Sequence, residues 1–180
     1  MNQSISLYLT ALSQVNWSSP EEFTFPDPNA KAWLLEQGSL SRRLSENCQQ
    51  LTVDLLKNVW VESSTLDTSE TDLLPKESCL LRKVILQGDG KPWIVGRTLI
   101  PKSSVQDQSH NLEHQGEIPL GLTVFSADNV KRDALQVGWV ETPDGMFLAR
   151  RSRLWMNDKP MLVSELFLRD SPAYFSKEQV

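Results

Sequence analysis

After residue 50, apolar and polar residues alternate along most of the chain. An alternation with a period of two is typical of strands that have one face buried. It predicts six strands, at residues 51–62, 79–87, 92–101, 130–141, 146–156 and 159–169. Connections that contain Asp89-Gly90 and Asp144-Gly145 favour tight hairpin turns. Because no crossover helix separates these strands, the sheet is predicted to be antiparallel.

The first fifty residues instead carry apolar side chains at helical spacing. They predict helices at residues 2–14, 29–37 and 40–49. Gly38 is expected to end the second helix, and Ser39 is expected to cap the third. Since the helices mostly precede the strands, we expect them to cover one face of the sheet.

The segments between these elements are polar. Residues 63–74 are acidic and predict a linker, and residues 102–116 predict a loop or a short helix. The whole pattern predicts a single α+β domain over residues 1–180, built on a six-stranded antiparallel sheet. Residues 1–28 are expected to form an N-terminal helix and loop, and residues 175–180 a tail.

Composition narrows the class of protein. Of the 180 residues, 39% are hydrophobic and 23% are charged, so the chain can bury a core without a metal or a disulfide. Its 18 basic and 23 acidic residues leave a formal charge of −5, which argues against nucleic-acid binding. No stretch reaches the roughly 20 apolar residues that span a membrane. Residues 1–17 contain no Lys or Arg and no long apolar run, so no signal peptide is expected.

The chain contains two cysteines, Cys48 and Cys79, whose spacing matches no common metal or redox motif. A chain of this size with so few cysteines is expected to be a reduced, cytoplasmic protein. Neither cysteine has a histidine close by in the sequence, so inert thiols are expected rather than nucleophiles.

Four predicted strands carry charged residues on an apolar face. These residues are Arg82, Arg97, the pair Arg151 and Arg153, and Glu165. A charge that is buried without a partner costs several kcal/mol, so they must pair with each other or with a ligand. Structural ion pairs would produce the same pattern, and the pattern alone favours them. The alternative is a closed pocket in which arginine binds a small organic acid and one carboxylate acts as acceptor or base.

Short motifs recur through the chain from about residue 31 to residue 174. They include Leu73-Leu74-Pro75-Lys76-Glu77-Ser78, Gly90-Lys91-Pro92-Trp93, Gly96-Arg97-Thr98, Pro119-Leu120-Gly121, Arg150-Arg151-Ser152-Arg153-Leu154 and Glu165-Leu166-Phe167-Leu168. In this order and spacing they resemble the chorismate lyase family, whose members are chorismate pyruvate-lyases. Each motif is weak alone, but the set in register is specific.

The resemblance implies an enzyme that eliminates pyruvate from chorismate to give 4-hydroxybenzoate, the first committed step of ubiquinone biosynthesis. It implies a six-stranded antiparallel sheet covered by helices that act as flaps over a buried site, without a metal or an organic cofactor. The expected ligands are chorismate, 4-hydroxybenzoate and pyruvate, with no nucleic acid and no membrane insertion. A monomer in the cytoplasm is expected.

The resemblance also assigns roles to individual residues. Arg82 is expected to hold the ring carboxylate. Glu165 is expected to meet the hydroxyl end, where it either orients the C4 hydroxyl or acts as general base at C4. Leu40 and Leu120 are expected to contact the substrate, and Leu40 stands where the family has a methionine. The enolpyruvyl carboxylate requires a second cation, for which the candidates, unranked, are Arg97, Arg151 and Lys76.

A second function class is also compatible with the sequence. The same sheet occurs in sensor domains of bacterial transcription regulators, which bind organic acids without turnover, and a relative could also act as a carrier. A regulator would have a DNA-binding domain before the sensor, whereas about 30 residues precede the resemblance here. We therefore expect the enzyme, with a non-catalytic aromatic-acid binding domain of the same fold as the alternative.

Overall fold

Six strands form one sheet in the computed structural model, which describes residues 3–106, 111–127 and 129–175. The strands are β1 (Leu51–Val61), β2 (Cys79–Gly88), β3 (Lys91–Pro101), β4 (Val130–Thr142), β5 (Gly145–Met156) and β6 (Lys159–Phe167). Their order is β1-β2-β3-β6-β5-β4, and every neighbouring pair is antiparallel. The predicted fold class is confirmed, and each strand ends within two residues of its prediction. Of the tail predicted at residues 175–180, all but Phe175 lies outside the described residues.

Two-residue turns close the β2–β3 and β5–β6 hairpins. Asp89 and Gly90 have φ angles of 49° and 82°, and Asn157 and Asp158 have φ angles of 53° and 65°. Left-handed conformations at both turn residues match the right-handed twist of the flanking strands. The turn therefore fixes the register of the β5–β6 hairpin along its length, whereas in the β2–β3 hairpin a register shift between Leu86 and Gln87 follows the turn.

Six α-helices lie within the described residues: α1 (Gln3–Leu12), α2 (Pro28–Leu34), α3 (Leu40–Ser45), α4 (Thr68–Thr71), α5 (Lys102–Gln106) and α6 (Leu120–Val124). As predicted, α3 begins after Ser39, whose Oγ accepts a hydrogen bond from the Arg42 amide at 3.1 Å. The prediction for the end of α2 is wrong. The last residue of the helix is Leu34, and its C-cap is Leu35 rather than Gly38. None of the helices in the described ranges is long and apolar enough to cross a membrane.

Helices cover both faces of the sheet, so the expectation of a single covered face is wrong. α2 and α3 pack with Ile94 and Phe167 on one side, which we name the front face. α1 packs with Val95 and Leu166 on the opposite side, the back face. These four strand residues are fully buried, and neighbouring residues of a strand point to opposite faces. Because apolar side chains project from both faces of these strands, both faces must be covered by other parts of the chain.

Residues 63–74, which were predicted to form a linker, instead fold against the back face. A 3₁₀ turn at Ser63–Thr65 leads into α4, where Asp67 and Glu70 form a reciprocal capping box. Glu70 is also buried and forms an ion pair with Arg97 of β3. This pair ties the segment to the sheet.

The Glu70–Arg97 pair is expected to stabilise the fold. Glu70→Ala removes a capping contact and leaves a mostly buried cation unpaired, so it should lower the free energy of unfolding by about 2–3 kcal/mol. Glu70→Gln keeps an acceptor oxygen and should cost less. Urea denaturation followed by circular dichroism measures both changes. A Glu70→Ala variant within about 0.5 kcal/mol of the unsubstituted protein would contradict the stabilising role.

Candidate active site

A cavity lies on the front face, between the sheet and the first turns of α3 and α6. Its volume is about 60 Å³. Most of the lining is apolar and includes Val84, Leu86, Ile94, Phe125, Leu154 and Val163. Four charged residues also line it: Arg82, Arg132, Arg150 and Glu165. We name this space the front-face cavity.

The register of the strands brings these charges together. Arg150 of β5 lies directly opposite Glu165 of β6, and Glu165 lies opposite Gly96 of β3. Gly96 in turn pairs with Val84, which is two positions from Arg82 on the same face of β2. A Cβ atom on Gly96 would lie 3.2 Å from Val84 Cγ2. The missing side chain therefore keeps space open between the charged residues.

Arg82 is a buried cation with a free donor. The residue is 2% exposed, and its Nη2 donates a hydrogen bond to the Ile118 carbonyl at 3.1 Å. Nη1 is buried and has no hydrogen-bond partner among the residues that the structure describes. Burial lowers the pKa of this guanidinium to about 10, which leaves it charged at neutral pH. Such a group is suited to bind an anion.

Arg150 and Glu165 form a buried ion pair, with Nε 3.4 Å from Oε2. The Arg150 side chain is fully buried, and the Glu165 side chain is 8% exposed. Nη1 of Arg150 donates to the Glu36 carbonyl at 2.8 Å, in the segment between α2 and α3. Nη2 is buried and unpaired within the described ranges. The cavity thus contains a second free donor, next to a carboxylate.

Arg132 of β4 holds the same segment between α2 and α3. Its Nε and Nη2 donate to the carbonyls of Gln37 and Gly38 at 3.2 and 3.0 Å, and its Nη1 donates to Ser152 Oγ. Burial, together with the nearby charge of Arg150, lowers the pKa of Arg132 to about 10. Three guanidinium groups and one carboxylate give the front-face cavity a formal charge of +2.

Leu40 and Leu120, which were expected to contact the substrate, both line this cavity. They are the first residues of α3 and α6, where backbone N–H groups have no acceptor within the helix. The two helices approach closely at Gly121, since a Cβ there would lie 2.9 Å from Ser39 Oγ. The structure therefore brings Leu40 and Leu120 to the same cavity as Arg82 and Glu165.

Arg97, Arg151 and Lys76 lie elsewhere, which corrects the expectation that one of them reaches a second carboxylate in this site. Arg97 and Arg151 line a separate cavity on the back face, because each follows a front-face residue along its strand. Arg97 pairs with Glu70, and Arg151 donates to Gln136 Oε1 at 2.7 and 3.0 Å. Lys76 is exposed in the loop before β2.

Two residues of the front-face cavity, Arg150 and Arg132, are not predicted as site residues by the sequence. Arg150 lies beside Arg151 in a basic cluster, and only the register of β5 and β6 indicates which of the two faces Glu165. Counting outward from the two-residue turn between these strands would have found it. Arg132 carries no such signal, because a register shift interrupts the alternation of β4.

Both cysteines are free thiols. Burial raises the pKa of Cys79 to about 11, and it also raises the pKa of Cys48, so both are protonated near neutral pH. In the described part of the chain, no group of His, Cys, Asp and Glu side chains is arranged to hold a metal ion.

The front-face cavity is small and mostly apolar, with a net positive charge and two guanidinium donors that are unpaired within the described residues. A cavity with these properties, on one face of an antiparallel sheet, is suited to bind a small organic acid.

The chain belongs to the chorismate lyase family, whose sequence profile matches residues 11–180. It is 63% identical to the probable chorismate pyruvate-lyase of Vibrio parahaemolyticus over 100% of both chains. It is 37% identical to the chorismate pyruvate-lyase of Erwinia tasmaniensis, over 93% of this chain and 94% of that one. The family resemblance inferred from the sequence motifs is confirmed.

Two solved structures have a similar fold. One is the ligand-binding domain of a regulator assigned to the GntR family from Bordetella bronchiseptica, with a TM-score of 0.52 and 16% identity over 68% of this chain and 86% of that one. The other is the effector domain of PhnF from Mycobacterium smegmatis, with a TM-score of 0.50 and 12% identity over 74% and 90% of the two chains. At these identities the likeness concerns the fold alone.

Proposed function

We propose that this protein is a lyase that eliminates pyruvate from chorismate and releases 4-hydroxybenzoate. It acts as a cytoplasmic monomer without a metal or an organic cofactor, and it catalyses the first committed step of ubiquinone biosynthesis. Membership of the family supports the reaction. The observation that carries the proposal is the formal charge of +2 in a mostly apolar cavity, since chorismate is a dianion of the opposite charge.

The cavity suits the two ends of the substrate ring. Arg82 binds the ring carboxylate through its free Nη1, and the amides at the first turns of α3 and α6, around Leu40 and Leu120, donate to the same carboxylate. Glu165 accepts a hydrogen bond from the C4 hydroxyl at the opposite end of the ring. The apolar side chains between these ends pack against the ring faces.

The reaction breaks the C3–O bond and removes the hydrogen on C4. The electron pair of the C4–H bond completes the aromatic ring, and the C3–O pair leaves with enolpyruvate, which takes up a proton to become pyruvate. Because aromatisation makes the elimination downhill, the protein contributes mainly orientation and fixed charges. Glu165 either orients the C4 hydroxyl or takes the C4 proton.

Substrate entry and product release require the helices predicted within residues 29–49, α2 and α3, to move outward as flaps. The cavity volume of about 60 Å³ is well below the volume of roughly 150 Å³ that holds a benzene molecule in a protein core. A site that must open in this way favours slow product release and inhibition by the product.

Incubation of the purified protein with chorismate tests the proposal. Absorbance of 4-hydroxybenzoate and a coupled assay for pyruvate should rise in equal amounts, with a pre-steady-state burst near the enzyme concentration and slower turnover afterwards. Calorimetric binding of 4-hydroxybenzoate without any product from chorismate would instead support the non-catalytic binding domain.

Arg82→Ala is expected to weaken binding of both chorismate and 4-hydroxybenzoate, because both carry the ring carboxylate. The loss should be about 2–5 kcal/mol, the range for truncating one partner of a desolvated charge pair. The fold should persist, since the substitution removes a buried unpaired cation rather than creating one. Calorimetric titration with 4-hydroxybenzoate measures the change, with Arg153→Ala on the back face as the matched control. An unchanged affinity of the Arg82 variant would exclude the anchor role.

Glu165→Ala is expected to lower kcat by a factor of roughly 10²–10⁴ in either role of this residue. Glu165→Gln separates the two roles, because it keeps an acceptor oxygen for the C4 hydroxyl but cannot take a proton. Much activity in the Gln variant supports orientation, and an equal loss in both variants supports a general base. Circular dichroism checks that each variant folds with Arg150 deprived of its counter-charge. Near-normal kcat in a folded Glu165→Ala variant would remove Glu165 from the mechanism.

A further inference from the structure

Two guanidinium donors in the front-face cavity are buried without a partner among the described residues: Nη1 of Arg82 and Nη2 of Arg150. A buried polar group that is left unpaired destabilises the protein, because it has lost its hydrogen bonds to water without gaining others. Each donor therefore calls for an acceptor that a ligand can bring. The proposed function gives Arg82 the ring carboxylate and leaves the donor of Arg150 without an assigned acceptor.

We propose that Arg150 binds the enolpyruvyl carboxylate of chorismate, the group that leaves as pyruvate. This inference rests on the proposed function. Nε of Arg150 lies 3.4 Å from Glu165 Oε2, so the guanidinium is the immediate neighbour of the carboxylate that meets the C4 hydroxyl. The enolpyruvyl ether is attached to C3, the ring carbon next to C4. Neighbouring side chains thus meet neighbouring substituents of the ring.

The other cations fit this role less well. Each of the three side-chain nitrogens of Arg132 already donates a hydrogen bond, two of them to the segment between α2 and α3. Arg97 and Arg151 belong to the back-face cavity. Apart from Arg82, Arg150 is the cation of the front-face cavity that has an unpaired nitrogen within the described ranges.

The position of Arg150 also suits the bond that breaks. When the C3–O bond cleaves, negative charge develops on the leaving enolpyruvyl oxygen, and a fixed cation nearby stabilises that charge. Glu165 and the Glu36 carbonyl hold Arg150 on two of its nitrogens, so it is already oriented before the substrate arrives. 4-Hydroxybenzoate has no enolpyruvyl group. Arg150 therefore contacts the substrate and not the aromatic product.

Arg150→Lys tests this inference, because lysine keeps the positive charge beside Glu165 but lacks the second nitrogen. We expect kcat/KM for chorismate to fall by about 100-fold or more, while the inhibition constant of 4-hydroxybenzoate changes less than about threefold. Steady-state kinetics and calorimetric titration with 4-hydroxybenzoate measure the two effects. Arg153→Lys, on the same strand but on the back face and paired with Asp133, is the matched control and should change neither.

An equal weakening of chorismate and 4-hydroxybenzoate would overturn the inference, since Arg150 would then act only by positioning Glu165. Unchanged kinetics with chorismate would overturn it as well. If Arg150→Lys does not fold, the neutral pair Arg150→Gln with Glu165→Gln is compared with Glu165→Gln alone by titration with the same two ligands, and the same selective loss for chorismate is expected. The proposed function fails separately, when the unsubstituted protein forms no 4-hydroxybenzoate from chorismate.

Discussion

The cross-strand pair of Arg150 and Glu165 places two opposite charges inside the packed sheet, and the cover of the cavity depends on it. Taking both groups out of water costs several kcal/mol. Their mutual attraction offsets part of that cost, and so does the hydrogen bond from Arg150 to the Glu36 carbonyl. The same contacts that stabilise the buried charges also hold the segment between α2 and α3 over the sheet. Site and cover are therefore one interaction network.

Arginine has different roles on the two faces of the sheet. Arg150 and Arg151 are neighbours in the sequence, yet they lie on opposite faces of β5. On the back face, Arg151 is engaged by Gln136 and the ring of Trp17, and Arg97 has its own carboxylate in Glu70. On the front face, arginines outnumber carboxylates and free donors are left over. An arginine whose donors are paired within the protein stabilises the fold, whereas an arginine with an unpaired donor can bind a ligand.

The period-two alternation was enough to predict the sheet, because burial of alternate side chains is a local property of each strand. It failed where geometry departs from that period. A register shift between Leu55 and Lys57 in β1 leaves Val59 39% exposed, although it lies an even number of residues from the buried Val53. Pattern alone also could not tell that Arg97 faces the back, because apolar residues occupy both parities of β3. Motif resemblance supplied Arg82 and Glu165, whereas Arg150 and Arg132 required the pairing of strands.

The segment between α2 and α3 is held by hydrogen bonds that Arg150 and Arg132 donate to its backbone. The acceptors are the carbonyls of Glu36, Gln37 and Gly38, and the side chains of these residues do not take part. A carbonyl is present whichever amino acid occupies the position. The sequence of this segment can therefore drift, and its outer surface can change in charge or shape, as long as the backbone path is kept. Arg132 and Arg150 cannot be replaced as freely, since lysine lacks the several nitrogen donors of a guanidinium group. We therefore expect relatives to differ on the outer surface of this segment and to keep the hydrogen bonds that its carbonyls accept from Arg132 and Arg150.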